Sequence, residues 1–470
     1  MRVKNSTAKA NGDGPAPGLK REFVNTGSPV LIIILEEEIY MKRRISLFLL
    51  AAFIFTLVFG MTGAAKNASD ISANLRILYP GTSEVEKAWS ESVRKAVTEK
   101  YPNIKLEFIY LNWSDIEKKL AVMVAAGDYP DMMEIQDVVN PVAMDALEPL
   151  DAYLNSKINK RKYSPGYLEY SKVGGKLYSI PLLGIVYGHV VNEDLLKAAG
   201  YKVDGLKSWD AVIAAAKAMA KNGKYGYAMA NGGTGRFAFR DFMMLCLSND
   251  LRPDDVSDAS KTKYLEVLKL VNDLTPYMPK SQVNWLYPEL FKAWGAGSVG
   301  IMHTGTYFTA NAIPHSKEIV GKTRAFVFPK GPSAKKSQAM VANVGFAIIK
   351  GSKQKEAAWK VMEIINSDQL VAKIGGAMHL PAALKMNQTA LEESAKQSYP
   401  ESYRGHLTLI KDFAAIAKKY GVPQPQILGQ PQMEMLVQGA ILKMQNDDLT
   451  PAAAYDEIRK GIQKVKDEMK

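Results

Sequence analysis

The sequence predicts an α/β chain of two domains, and three observations carry that expectation. Short apolar strands alternate with amphipathic helices, which implies parallel pairing in sheets covered on both faces. The chain has 470 residues, whereas a single hydrophobic core stops growing at roughly 250–300. Its composition, 47% hydrophobic and 23% charged, excludes a disordered chain and an all-apolar membrane protein.

The elements follow in order. Residues 75–79 read as a strand, and in 83–100 Val85, Ala88, Trp89, Val93, Ala96 and Val97 fall on one helical stripe. Ile104, Leu106, Phe108 and Tyr110 alternate with Lys105, Glu107 and Ile109 as a second strand. Ser114 and Glu117 have the spacing of a capping box for a helix ending at Gly127, and 132–135 is a third strand. Ligands of such sheets bind beyond the carboxyl ends of the strands, so Pro80 to Thr82, Trp113, Gln136 and Asp137 are expected at one crevice.

A second series follows 178–182. Residues 185–192 form a strand, Ser208 caps a helix running to about Ala220, and 225–230 is a strand leading into a glycine-rich loop at 231–235. That loop lacks the lysine and Ser/Thr of a phosphate-binding loop and reads as a plain turn. A helix at 288–294, strands at 299–302, 325–328 and 344–349, and helices at 352–366, 368–374 and 432–445 complete the series. Thr450 is the N-cap and Pro451 the first residue of a last helix.

The N-terminal residues read as an address rather than as fold. From Met41, three basic residues precede an apolar run at 45–59 and the small residues Gly63, Ala64 and Ala65, the pattern of a secretory signal peptide cut after Ala65. Residues 1–40 then have no place ahead of it and read as a non-native extension. No cysteine near the cut offers a lipid anchor. Without residues 1–65, which hold eight basic and five acidic side chains, the net charge falls from +12 to +9. This excess is spread along the chain, so no nucleic-acid partner is expected.

Little in the chain points to catalysis. Cys246 is the only cysteine, which excludes an intramolecular disulfide and a cysteine-based zinc or iron–sulfur site. The five histidines show no zinc-protease spacing, and no serine stands in a nucleophile elbow. Gly295, Gly297 and Gly300 spell a dinucleotide fingerprint in reverse context: they end a helix and enter a strand, so they are stop and turn residues. No cofactor and no metal are expected.

The order of segments resembles the extracellular solute-binding protein family that serves carbohydrate importers of the ATP-binding-cassette type, the group containing maltose-binding protein. The matching pieces run collinearly from about Leu75 to Lys470. They are Gly127 with Pro130 and Asp131; 175–181 (Gly-Lys-Leu-Tyr-Ser-Ile-Pro); 192–196 with Gly200; Ser208-Trp209-Asp210; 297–307; 343–348 (Asn-Val-Gly-Phe-Ala-Ile); 355–362 before Leu380-Pro381; and Thr450-Pro451. Ile301 replaces the usual Met, Tyr307 the usual Trp, and Val191 stands where an aromatic often contacts sugar. The resemblance implies a two-lobe periplasmic-binding-protein fold of type II, each lobe a sheet flanked by helices, with the ligand cleft between them. It implies a first lobe at 66–182 and 346–395 and a second at 186–341 and 396–470. It further implies a non-catalytic, monomeric, periplasmic or extracytoplasmic receptor that captures a sugar or oligosaccharide by lobe closure and delivers it to the transmembrane subunits of an ABC permease.

A sugar cleft needs aromatic platforms for C–H faces and planar polar groups for hydroxyls. Trp113, Tyr307 and Trp285 are the candidate platforms, whereas Trp89, Trp209, Trp294 and Trp359 fit packing positions. Thr82, Gln136, Asp137, Tyr187, His189, Arg236, Arg240, His303, Asn343 and His379 are the candidate polar contacts. Tyr187 and His189 share one strand face, although core packing serves either residue, and for His189 it is slightly the better reading. If Arg236, Arg240, His303 and His379 all face the cleft, an acidic sugar is the expected guest. Two rival functions remain at this level: the same fold holding a non-sugar organic solute, and a secreted carbohydrate-active enzyme with a carboxylate pair at catalytic spacing. A membrane-surface role for the basic chain would instead show as salt-sensitive lipid binding.

Overall fold

In the computed structural model the described residues are 71–154, 162–163, 165–382 and 385–469, within one compact unit, Asn67–Lys470. The expected leader at 41–65 and the extension at 1–40 lie outside the described residues.

The first strand, β1 (Ala73–Tyr79), feeds α1 (Glu84–Lys100), followed by β2 (Ile104–Tyr110), α2 (Ile116–Ala125) and β3 (Met132–Ile135). After a two-stranded hairpin at 172–177 comes β4 (Ile180–Asn192), whose thirteen residues are all buried. Next are α3 (Trp209–Met219), β5 (Tyr225–Ala228), α4 (Arg236–Ser248) and α5 (Lys261–Leu274). Then come α6 (Tyr287–Gly295), β6 (Val299–Gly305), β7 (Thr323–Phe326) and β8 (Ala339–Ile348). Helices α7 (Lys355–Ile365) and α8 (Asp368–Ala377) lead to the short β9 (Leu380–Pro381). The chain closes with α9 (Gln388–Ser398), α10 (Tyr403–Tyr420), β10 (Gly421–Pro423), α11 (Gln430–Gln445) and α12 (Pro451–Glu468).

The main sheet has the order β2-β1-β3-β8-β4-β6-β5, with β9 and β7 also on β4 and β10 on β8. Pairing is parallel for β2-β1-β3 and for β6-β5, as the alternation of elements implies. It is antiparallel wherever β4 or β8 takes part with β3, β6 or the other of the pair, so the sheet is mixed rather than wholly parallel. The reason lies in these two long strands, which change partners along their length. β8 pairs β3 through 345–348 and β4 through 341–346, while β4 pairs β6 through 187–191. The register of β8 against β4 shifts between Val344 and Gly345, where a Cβ on Gly345 would stand 2.1 Å from the Ile180 carbonyl. Only glycine lets the backbones approach so closely.

Local chemistry explains the ends. Ser83 and Glu86 form a reciprocal capping box at α1, and Thr450 caps α12 with Pro451 following it. The box expected at Ser114 and Glu117 does not form: α2 starts at Ile116 with no side-chain cap. Glu117 instead pairs with Arg236, an ionic partner that replaces the backbone N–H. The expected packing role of four tryptophans is met, each indole N–H finding an acceptor: Leu370 O for Trp89, Pro329 O for Trp209, Thr323 Oγ1 for Trp294 and Glu363 Oε1 for Trp359. Helix α4, absent from the sequence expectation, is buried at twelve of its thirteen positions. A helix buried on all sides, with Arg236, Arg240 and Asp241 among its buried residues, shows no polar face to set off an apolar stripe.

Candidate functional site

A cavity of about 220 Å³ lies where the carboxyl ends of β1 and β3 meet the far side of the sheet. One wall comes from the β1–β3 side: Tyr79 at the end of β1, Thr82 and Glu86 at the start of α1, Asn112 and Trp113 after β2, and Glu134 and Gln136 at the end of β3. The opposite wall is built by Phe237 and Arg240 of α4, Tyr287 of α6, and Tyr307 and Asn311 just after β6. Tyr187 of β4, Met378 and His379 line the floor between them.

One hydrogen-bonded chain joins the two walls. Arg240 Nη2 donates to Gln136 Oε1 at 3.0 Å, Gln136 Nε2 donates to the Tyr187 hydroxyl at 2.7 Å, and the Arg240 guanidinium lies 4.9 Å over the Tyr187 ring. A planar guanidinium suits this double contact with an amide and a ring face. The aromatic wall is continuous: Phe237 stacks on Tyr287 at 3.9 Å, Tyr287 on Tyr307 at 5.9 Å, and the Tyr287 and Tyr307 hydroxyls lie 2.9 Å apart. Burial pushes the Tyr287 hydroxyl up to about 12, so it stays protonated and able to donate.

Seven expected site residues line this cavity: Thr82, Trp113, Gln136, Tyr187, Arg240, Tyr307 and His379. Six do not. His189 is fully buried beneath the floor, its Nε2 2.8 Å from the Tyr227 hydroxyl, which donates to Asp241 at 2.9 Å. His303 stacks behind Tyr187 at 5.8 Å. Asn343 Nδ2 donates to Tyr167 O and Ser171 Oγ, fastening the segment before β4. Trp285 is half-buried against the core, with its carbonyl accepting from the Gly232 N–H. Arg236 and Asp137 turn into a separate buried group. Arg236 Nη1 lies 3.3 Å from Glu117 Oε1 and its guanidinium is 5.9 Å from the Trp113 ring. Asp137 Oδ1 accepts from the Val139 N–H, and burial, reinforced by Glu117, pushes its carboxyl up to about 7.

The condition for an acidic guest is therefore unmet. Arg236 is engaged by Glu117 and His303 stands behind Tyr187, so of the four Arg240 and His379 line the cavity. His379 is neutral, pushed down to about 3 by burial and then by His406, and its Nδ1 meets Thr306 Oγ1 at 2.7 Å. Two carboxyl groups, Glu86 and Glu134, line the cavity instead.

Sequence reasoning passed over Glu134, Glu86, Tyr79, Phe237 and Tyr287. A signal existed for Glu134, since it is the one charge in the otherwise apolar run Met132-Met133-Glu134-Ile135, ahead of Gln136. Tyr287 and Phe237 reach the cavity through helices that start beside it, a tertiary fact without local trace. Among the described residues, no group of three His, Cys, Asp or Glu is placed to hold a metal ion, and no helix is long and apolar enough to cross a membrane.

Comparison with known proteins identifies the family and the fold. The sequence profile of a family described as bacterial extracellular solute-binding protein matches residues 79–371. A binding protein of Brucella abortus (strain 2308) is 28% identical over 319 residues, 66% of this chain and 76% of its own. Among solved structures, a chitin oligosaccharide binding protein superposes with a TM-score of 0.73 at 19% identity, covering 84% of this chain and 99% of its own. A solute-binding protein of an ABC transporter from Thermotoga lettingae, bound with α-D-tagatose, gives a TM-score of 0.69 at 20% identity, covering 84% and 100%. At these identities the structural likeness establishes the fold, which is the type II two-lobe arrangement with a cleft between the lobes.

Proposed function

Because the chain belongs to the bacterial extracellular solute-binding protein family, we propose that it is the extracytoplasmic receptor of an ABC importer for a sugar or oligosaccharide. It takes up its guest by lobe closure, passes it to the permease and leaves it chemically unchanged. The observation that carries this reading is the cavity itself: the rings of Trp113, Tyr287 and Tyr307 line it together with the planar polar groups of Gln136, Asn311 and Arg240. Rings with apolar C–H faces and equatorial hydroxyls match such a surface. Relatives of the same fold are named for a chitin oligosaccharide and for a bound tagatose.

Closure follows from where these groups sit. A guest touching both walls makes its full set of contacts only when the walls are close, so it shifts the population toward the closed state. We place the lobes at 66–182 with 346–395 and at 186–341 with 396–470, supported by the change of partners along β4 and β8. Residues 41–65 act as the export signal in this reading, and the mature protein works as a monomer.

Isothermal titration of the purified protein against mono- and oligosaccharides, with small-angle scattering, tests the proposal. Saturable binding accompanied by a smaller radius of gyration is expected. If no saccharide changes either the heat or the scattering curve, while a solute without a sugar ring does, the sugar reading is wrong.

A further inference from the structure

The β1–β3 end of the cavity holds an electrostatic imbalance that a neutral sugar does not relieve. Glu134 sits in a strand whose four residues are all buried, paired in register with Phe346 of β8, and is only 6% exposed. It lines the cavity, and its Oε2 has no hydrogen-bond partner among the described residues. Glu86 lines the same end, its Oε2 taking the Ser83 N–H at 2.9 Å and the Ser83 hydroxyl at 2.6 Å. Neither carboxyl group has an ion-pair partner among the described residues. Arg240, the one cationic side chain lining the cavity, is turned to Gln136 and the Tyr187 ring.

We propose that the guest is an amino sugar with a free amine, its ammonium group seated between Glu134 and Glu86. A buried carboxylate without a counter-charge is destabilised by the loss of its hydration, and two of them repel. A neutral hydroxyl satisfies one oxygen and leaves the repulsion in place. An ammonium brings three donors and a positive charge, and meets both carboxylates with charge-assisted hydrogen bonds. The rings of Tyr79 and Trp113 line the same wall, where an aromatic face favours a cation. Burial, then Glu86, raises the Glu134 carboxyl well above its usual range, which is the mark of a site lacking its counter-ion. A metal ion is the poorer occupant, because no third acidic, histidine or cysteine ligand joins this pair among the described residues. A polyamine would bring no C–H ring face to the stacked rings of Tyr287 and Tyr307.

This inference rests on the saccharide reading, and the test separates the two. The purified protein is titrated with glucosamine, galactosamine, mannosamine and fully deacetylated chitobiose, each beside its N-acetylated form and its neutral parent. At least one free amine is expected to bind tenfold or more tighter than its matched forms. In Glu134→Gln, that preference is expected to vanish while the melting midpoint holds or rises. If a neutral or N-acetylated form binds as tightly as the amine, or if Glu134→Gln keeps the preference, the amino-sugar proposal is overturned while the saccharide reading stands. If none of these saccharides binds, the amino-sugar proposal is overturned, and the wider titration of mono- and oligosaccharides decides the saccharide reading.

Discussion

Arg236 and Glu117 form an ion pair, Nη1 to Oε1 at 3.3 Å, that ties the first turn of α4 to the first turn of α2. These helices belong to opposite ends of the sheet order, so the pair spans the two walls of the cavity beside Trp113. Both side chains are largely out of water, at 7% and 18% exposure, so solvent screens the interaction weakly. Glu117→Gln keeps the shape and one acceptor while removing the charge. The expected outcome is a loss of about 1–3 kcal/mol, seen as a lower melting midpoint, together with a larger radius of gyration in the absence of ligand. An unchanged scattering curve would show that the pair does not hold the walls together.

Asp137 gives a pH signature with a definite sign. Its carboxyl is pushed up to about 7 by burial, against an ordinary value of 3.8. Between those values the folded state binds more protons than the unfolded one, so this group's contribution to stability falls as pH rises and levels off above about 7. Asp137→Asn keeps an acceptor for the Val139 N–H and removes the titration. The wild type should therefore lose stability relative to the variant by up to about 1.4 kcal/mol per pH unit across that window. Denaturant titrations of both proteins at pH 4, 5.5, 7 and 8.5 measure it, and a constant difference would refute it.

Arg240 combines two contacts that a lysine does not reproduce together, the hydrogen bond to Gln136 and the guanidinium plane over Tyr187. Arg240→Lys should weaken saccharide binding by roughly tenfold, about 1.4 kcal/mol, with a smaller change in melting. Equal affinity by calorimetry would mean that the Arg240–Gln136–Tyr187 chain has no part in shaping the cavity.

Gly345→Ala tests the junction of the long strands. The added methyl would stand 2.1 Å from the Ile180 carbonyl, a backbone atom that cannot turn aside. Markedly lower soluble yield and a clearly depressed melting midpoint are expected. A variant with wild-type melting would show that β8 shifts against β4 without cost.

Several features were legible before folding was considered. The strand ends at Tyr79 and Gln136, the helix opened by Thr450 and Pro451, and the exposed-loop position of Trp113 all rest on local periodicity and capping chemistry. Of the seven expected residues that line the cavity, Thr82, Trp113 and Gln136 were found from strand ends, Tyr187 from the face of a strand, and Tyr307 from the family resemblance. The same local rule misled at Ser114 and Glu117, where a distant arginine outcompeted the backbone N–H for the carboxylate.

By itself the sequence determined the alternation of strands and helices, the caps, the absence of a cysteine framework and the family resemblance, because each is written in neighbouring residues or in their order. Tertiary structure alone decided that the sheet is mixed, that Arg236 faces Glu117 rather than the cavity, and that His189 belongs to the core. It also decided that Glu134, Glu86 and Tyr287 are brought to one cavity from three separate elements. The physical reason is that partners for charges and rings are chosen in space, among side chains tens to hundreds of residues apart, where periodicity carries no information.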